Sequence, residues 1–298
     1  MNILITGGTG LIGKRLCTAL LQQGHNLTVL SRNPDSVKTK CGSEVKAIAS
    51  LNDYQPDTVY HAIINLAGEP IVDKRWTNTQ KQRLINSRVT LTEQLIQRIT
   101  DAKHKPQVLI SGSAVGFYGN GGDTILQEDA PPAQDFGATL CNHWEQTANK
   151  ATELGIRVCL LRTGLVLDPM GGLLKKMQLP FKLGLGATLA SGTQWMSWIH
   201  HQDYIQIILI LLENKNASGA YNMTAPEPVT NKQFTKTLAK HLHRPALLNS
   251  PAWLLKLILG EQAQLLIGGQ RALPTKIQTL GYNFHYTTLE QALNHIYP

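Results

Sequence analysis

The chain has 298 residues, 42% hydrophobic and 16% charged, enough to bury a large core in one big α/β domain or in a nucleotide domain plus a smaller lobe. The formal net charge is +8. The basic residues are scattered, however, with no basic run and no zinc-finger spacing, so the balance points to an anionic small-molecule ligand and gives no support to nucleic-acid binding. Four cysteines without a C-x-x-C pair read as reduced thiols of a cytoplasmic protein, and the longest apolar run, Ile205 to Leu212, is too short to span a bilayer.

In chain order, Ile3 to Ile5 is a short apolar run that reads as a buried parallel strand. Because this strand begins near residue 2, no signal peptide is expected before it. Gly7, Gly10 and Gly13 follow in G-x-x-G-x-x-G spacing, and Leu11 to Leu21 carries apolar residues at helical spacing. Strand, glycine turn and helix together form the context in which such a motif holds a dinucleotide. Gly7 serves the tight turn, Gly10 the approach of the pyrophosphate and Gly13 the packing of helix on strand. Thr9, Leu11 and Ile12 complete the phosphate-facing turn at the helix N-terminus.

Gly24-His25 stops that helix, and Asn26 to Ser31 reads as a second strand. Pro34 starts a short helix, Val45 to Ile48 suggests a third strand, and Tyr60 to Leu66 a fourth, ending in Leu66-Ala67-Gly68-Glu69. Helical patterning runs from about Thr77 to Ala102. A fifth strand is expected at Val108–Ser111, leading into Ser113, and a Gly- and Pro-rich loop spans 116–134. Phe136 to Leu154 predicts a helix and Arg157 to Leu161 a sixth strand. Beyond Leu167 the regularity weakens, with strand signals at 197–200 and 220–223 and helices at 203–212, 231–243 and 252–259.

The alternation predicts an α/β fold: a Rossmann-type doubly wound parallel sheet with a smaller, non-contiguous C-terminal lobe. The expected division is residues 1–167 as the nucleotide domain, which later segments could rejoin, and 168–298 as a substrate lobe, with a C-terminal extension from about residue 250.

The end of the second strand selects the cofactor. An NAD site usually carries Asp or Glu there, bonded to the ribose 2′-hydroxyl. Ser31-Arg32 stands here instead, and a guanidinium with a hydroxyl suits a 2′-phosphate, so NADP(H) is expected. Small residues at Leu66-Ala67-Gly68 let the chain approach the adenine ribose and pyrophosphate.

These residues resemble a family. Thr6 to Gly13, Asn65 to Gly68, Ser111-Gly112-Ser113 with Phe117-Tyr118-Gly119, Leu161 to Gly164, and Trp198-Ile199-His200 with Asp203 follow the order of an extended short-chain dehydrogenase/reductase. Gly68-Glu69-Pro70, Lys74-Arg75-Trp76, Ser87-Arg88, Trp144-Glu145, 180–186 and Gly268 to Arg271 are similar to an atypical branch called "epimerase family proteins", which also carries a C-terminal extension. The resemblance covers nearly the whole chain. It implies hydride chemistry on a carbonyl or nucleotide-sugar-type small molecule, with Gly164 and Val166 beneath the nicotinamide.

The family's usual acid–base pair is Tyr-x-x-x-Lys, whose members share one helix face. None of the eight tyrosines here has a lysine four residues on. Alignment on Glu145 puts Gly137 at the tyrosine position and Cys141 at the lysine position. Ser113 matches the family serine. Tyr118 is the nearest candidate for a replacement acid, with His200 or His201 from the second lobe as the other candidates, and Glu69 and His200 are candidates for substrate contact. Arg88 stands where extended members usually have Asn, facing cofactor phosphates or an anionic substrate. A metal at His200-His201 is not expected, since neighbours on a strand point to opposite sides. Two functions stay open: an NADP(H)-dependent oxidoreductase or epimerase with rebuilt acid–base chemistry, and a non-catalytic NADPH-binding sensor or partner-binding regulator. Substrate identity and oligomeric state are not legible.

Overall fold

The computed structural model describes residues 1–297. Seven parallel strands form the central sheet: β1 (Asn2–Thr6), β2 (Asn26–Leu30), β3 (Lys46–Ile48), β4 (Ala62–Asn65), β5 (Val108–Ala114), and, later in the chain, β7 (Arg157–Thr163) and β12 (Gly219–Met223). Their order is β12-β7-β5-β4-β1-β2-β3. The chain leaves β1 towards β2 on one side, and β4 lies on β1's other side, so the order reverses at β1. In open parallel sheets the crevice at such a reversal is where ligands bind, outside the carboxyl ends of the strands.

Alternation along the strands builds two cores. Ile3, Ile5, Val29, Ile64, Ile110 and Leu161 face one side, against α1 (Leu11–Gln22), α2 (Asp35–Cys41) and α7 (His201–Glu213). Leu4, Ile63, Leu109, Val158 and Leu160 face the other, against α4 (Leu91–Asp101) and α5 (Phe136–Asn149). The apolar run at 205–212 is the buried face of α7. Asp135 caps α5 by accepting from the Ala138 N–H, satisfying one of the donors a helix start leaves free.

The helix expected from Thr77 to Ala102 is α3 (Asn78–Ile85) and α4, joined without a break by one π-turn over Asn86–Thr90. The helix expected to reach Leu154 tightens into a 3₁₀ turn after Asn149. The fifth and sixth strands run further than their apolar residues suggest, to Ala114 and Thr163. Register explains this: β5 and β7 pair along their whole length, Val108 with Arg157 through Ala114 with Thr163.

The remaining strands form two-stranded pairs. These are β6 (Ile125–Leu126) with β15 (Arg271–Ala272), β8 (Leu165–Leu167) with β11 (Trp198–His200), β9 (Ala187–Leu189) with β14 (Leu248–Ser250), and β10 (Trp195–Met196) with β13 (Val229–Thr230). A third core of Leu174, Phe181, Trp198, Phe234, Leu238, Leu289 and Leu293 gathers α6 (Gly172–Lys182), α8 (Asn231–His241) and α12 (Leu289–Ile296). After residue 167, α7 packs on the nucleotide sheet and β12 joins it, hydrogen-bonding beside β7. The C-terminal extension spans the molecule, pairing with β6 at one point and with β9 at another.

Candidate dinucleotide site

The glycine turn at the end of β1 is closed by its own backbone. Gly7 sits at φ +74°, a region costly for residues with a Cβ, and a Cβ there would stand 2.7 Å from the Leu66 carbonyl carbon and 2.8 Å from Ala67 N. A Cβ on Gly13 would overlap the Gly7 carbonyl and come within 2.6 Å of Gly8 Cα. Gly10 is exposed and is the N-cap of α1, with no side chain bonded to the first turn. The N–H groups of the first turn thus carry no side-chain cap, and no acidic residue stands in that turn. Thr9 is half-buried beside them. The turn brings Gly7, Gly10 and Gly13 together with Leu66 and Ala67, Thr9, Leu11 and Ile12 lie along it, and Gly68 lies instead against Arg88.

Beneath this turn runs a polar relay. Thr6 Oγ1 donates to Asn65 Oδ1 (2.6 Å) and accepts from Ala67 N (3.1 Å). Asn65 Nδ2 donates to Thr92 Oγ1 (2.9 Å). Thr92 also accepts from Trp144 Nε1 (3.1 Å) and donates to the Arg88 carbonyl (2.6 Å). Asn65 and Thr92 thereby connect the glycine turn to the π-turn carrying Arg88. Trp144 packs on Gly112 of β5, where a Cβ would lie 2.7 Å from its ring.

At the end of β2, Ser31 is buried, and its hydroxyl donates to the Asn33 carbonyl (3.0 Å) while accepting from Asn33 N (3.2 Å). This turn exposes the next side chain, Arg32. Ser31 therefore shapes the turn, and the guanidinium is what faces out.

The Ser113 hydroxyl donates to Glu145 Oε1 (2.6 Å). Arg162 holds the same carboxylate through two bonds, Nε to Oε1 and Nη2 to Oε2, both 2.9 Å. Arg162 Nη1 donates to the Tyr118 hydroxyl (2.9 Å) and to the Glu128 carbonyl. Tyr118 in turn donates to Asn222 Oδ1 (2.7 Å). The Arg162 guanidinium lies 3.6 Å from the Phe117 ring centre. All of these side chains are buried, Arg162 lies within β7 rather than beyond it, and burial raises the Tyr118 phenol above its ordinary pKa. Ser113 and Tyr118 are brought together through a buried network to which both donate their hydroxyl protons, Ser113 to Glu145 and Tyr118 to Asn222.

The positions aligned with the missing pair carry no acid or cation, and a Gly137 Cβ would stand 3.2 Å from Asp135 Oδ1. The Trp76 indole reaches within 3.9 Å of where a Gly137 Cβ would stand, packs edge-on against Phe136 and donates its N–H to the Ile71 carbonyl. Cys141 is buried, and burial pushes its thiol up to about 11. Arg88 lies on Gly68 and over Trp144, not on the helix surface. Glu69 is half-buried, with Lys74 Nζ 3.8 Å from its carboxylate.

Gly164 is held between β12 and β10–β11, donating to the Met223 carbonyl, and a Cβ there would overlap Ser197 O and come within 2.9 Å of Thr224. Its neighbour but one, Val166, is half-buried in the β8–β11 ladder. His200 differs from expectation. It is 0% exposed, and its ring sits 3.9 Å from Tyr286 and 4.3 Å from His201 by ring centres. The two imidazoles stack on one side because the strand ends at His200 and α7 begins at His201. His200 is enclosed by the C-terminal extension and offers no surface to a substrate. In the same junction Asp203 accepts from Tyr282 Oη (2.6 Å) and the His285 and Tyr286 amides.

Sequence reasoning missed Asn65, Thr92, Trp76 and the Glu145–Arg162 pair as working parts of the site. Trp144-Glu145 on a helix facing a strand arginine was the available signal.

The seven-stranded order, the glycine turn at β1 and the crevice beside it define a dinucleotide-binding protein of the doubly wound class. The family model described as the NAD-dependent epimerase/dehydratase family matches residues 3–224, and one described as a domain of unknown function matches 250–296. The chain belongs to the NAD-dependent epimerase/dehydratase family, in the extended short-chain dehydrogenase/reductase branch of epimerase family proteins. It is 39% identical over 298 residues to the epimerase family protein YfhF of Bacillus subtilis, covering 99% of this chain and 98% of that one. A crystal structure of human epimerase family protein SDR39U1 with NADPH superposes with a TM-score of 0.90, at 32% identity and covering 99% of both chains. A UDP-glucuronic acid 4-epimerase from Bacillus cereus, in complex with UDP-glucuronic acid and NAD, shares the fold, with a TM-score of 0.78 at 20% identity over 100% of this chain and 98% of that one. Among the described residues no helix is long and apolar enough to cross a membrane.

Proposed function

We propose that the protein binds NADP(H), with the pyrophosphate on the glycine turn and the 2′-phosphate on Arg32, and acts on a carbonyl or nucleotide-sugar-type small molecule in the cytoplasm. The observation that carries this reading is Arg32: an exposed guanidinium presented by a turn at the end of β2, where a carboxylate would select the unphosphorylated cofactor. The NADPH complex of the human relative supports the same choice. When bound, the nicotinamide supplies a hydride acceptor or donor. Gly164 and Val166 would lie beneath it, and Ser113 at the end of β5 would be the nearest hydroxyl to the reacting carbon.

A second reading, NADPH binding without turnover, is favoured by Gly137 and Cys141 standing where the Tyr and Lys would be and by the commitment of the Ser113 and Tyr118 hydroxyl protons to one buried network. In this reading a bound dinucleotide is sensed rather than consumed. Titration with NADPH and NADH tests the shared core of both readings. NADPH is expected to bind about tenfold or more tightly than NADH, as the loss of charge-assisted bonds to one phosphate implies. Equal affinity, or no binding of either, would sink it. A turnover screen on carbonyl compounds and nucleotide sugars then separates the two readings: oxidation of NADPH supports the enzyme, and tight binding with no turnover supports the sensor.

A further inference from the structure

Arg88 is a half-buried cation that no carboxylate neutralises. Its bonds run only to the Leu84 carbonyl (3.4 Å), the Ser87 hydroxyl (3.3 Å) and the Glu69 carbonyl (2.9 Å). A guanidinium has five N–H donors, so Nε and one Nη2 hydrogen remain without a partner. Glu69 turns its carbonyl, not its carboxylate, to Arg88, and among the described residues Arg88 forms no ion pair. The unbonded Nε is not sealed in the core but reaches solvent, so the unmatched charge is open to a ligand, while the rest of the guanidinium bears the cost of desolvation. The cost is visible: burial pushes the Arg88 guanidinium below its ordinary pKa.

The backbone is built to hold this side chain in place. Arg88 is the central residue of the π-turn between α3 and α4, a rare irregularity that is frequent at functional sites. Its carbonyl is tied by Thr92 to the relay that reaches the glycine turn. Its guanidinium lies flat on Gly68, where a Cβ would be 3.0 Å from Cζ and Nη2. Gly68 follows β4, so the unpaired fork stands at the carboxyl end of β4, across β1 from Arg32 at the end of β2. A planar cation with adjacent free donors matches an oxyanion held by two bonds.

We infer that Arg88 is an oxyanion-binding residue on the far side of the crevice from Arg32, receiving either the nicotinamide-side phosphate of the dinucleotide or a carboxylate or phosphate of the substrate. This rests on the dinucleotide reading above for its first source and is independent of it for the second. Gly68 serves the same site by leaving room for the guanidinium.

Calorimetry on the full chain tests it with three probes: NADPH, 2′,5′-ADP (which lacks the nicotinamide half), and inorganic phosphate added to the protein with and without NADPH. Arg88→Met is expected to weaken NADPH or phosphate by about tenfold or more while leaving 2′,5′-ADP unchanged. Loss on NADPH assigns the oxyanion to the cofactor, and loss on phosphate assigns it to the substrate. Arg88→Lys, which keeps charge but not the fork, is expected to recover only part of the affinity and carries the comparison if Arg88→Met does not fold. Wild-type affinity for all three probes in the variants overturns the inference, as does an equal weakening of all three. If the wild type binds neither NADPH nor 2′,5′-ADP, the cofactor reading fails instead, and Arg88-dependent phosphate binding still decides the inference.

Discussion

Gly13, Arg32 and His200 show how single positions constrain the molecule in different ways. Gly13 has no room for a methyl group, because the obstacles are the Gly7 carbonyl and Gly8 Cα, which are backbone and cannot rotate away. Gly13→Ala is expected to weaken NADPH binding about tenfold or more and to lower the Tm, since overpacking typically costs about 1–3 kcal/mol. Wild-type affinity in that variant, measured by fluorescence titration, would show that the turn adapts. Arg32→Ala is expected to bring NADPH affinity down to that for NADH without changing NADH binding; a matched loss for both cofactors would mean Arg32 shapes the turn rather than reading the phosphate. His200 supplies a pH dependence. Burial, followed by the neighbouring charges of His201 and His295, holds its pKa down at about 3, and His201 is held at about 4 by burial and Arg15; Asp168 opposes both shifts. The folded state therefore keeps these rings neutral, while the unfolded chain takes up protons near its ordinary value of 6.5. Their contribution is complete above about pH 6.5 and is lost as pH falls towards 3 to 4. A thermal-melt series from pH 7.5 to pH 5 should show a falling Tm, with a shallower slope in His200→Phe; an equal slope in the variant would contradict this. Such residues differ in legibility. The glycines are readable because their constraint is local backbone geometry. The burial of His200 was not, because Tyr286 and His295, which enclose it, lie more than eighty positions along the chain.

At the scale of elements, the α3–α4 segment and β5 with its neighbours decide what the crevice can do. Hydrophobic spacing made 77–102 legible as helix, but not the π-turn inside it: the extra residue is held by Thr92 on the Arg88 carbonyl and by Asn65 and Trp144 on Thr92, all tertiary partners. Thr92→Val removes that anchor, leaves Trp144 without its acceptor and leaves Asn65 Nδ2 with Ser111 Oγ at 3.3 Å alone, the loss of a buried acceptor costing about 1–3 kcal/mol. Urea denaturation should show destabilisation in that range, and a neutral result would mean the π-turn is held by its neighbours alone. At the end of β5 and in the turn after it, Ser113 and Tyr118 are bonded to the Glu145–Arg162 pair. That pair was illegible because alternation says which face a residue occupies and not which charge waits there from an adjacent strand. Glu145→Ala should cost about 3–5 kcal/mol in urea unfolding at pH 7, because Arg162 would stay buried and uncompensated. A loss within 1 kcal/mol would show that water or Tyr118 compensates, as can happen for partly solvated pairs.

For the whole molecule, the alternation of strands and helices announced the doubly wound sheet, and the first five strands follow the expected order in sequence. The division near residue 167 was less legible: a five-residue strand such as Gly219–Met223 carries no mark of its partner, and only the sheet shows that it lies beside β7. The C-terminal extension likewise ties distant parts together, through Asp203 to residues 282–286 and through Gln262 Nε2 to the Ile71 carbonyl in the loop that carries Trp76. The crevice is thus framed by nucleotide sheet and extension together, with Arg32 on one side of β1, Arg88 on the other, and no tyrosine–lysine pair between them. The most direct measurement of this account is a crystal structure of the protein with NADPH. The expected result is the pyrophosphate on the amides that follow Gly10, the 2′-phosphate within hydrogen-bond distance of Arg32, and the nicotinamide half towards Arg88 and Gly68. A dinucleotide bound with its 2′-phosphate away from Arg32, or bound elsewhere on the molecule, would contradict it.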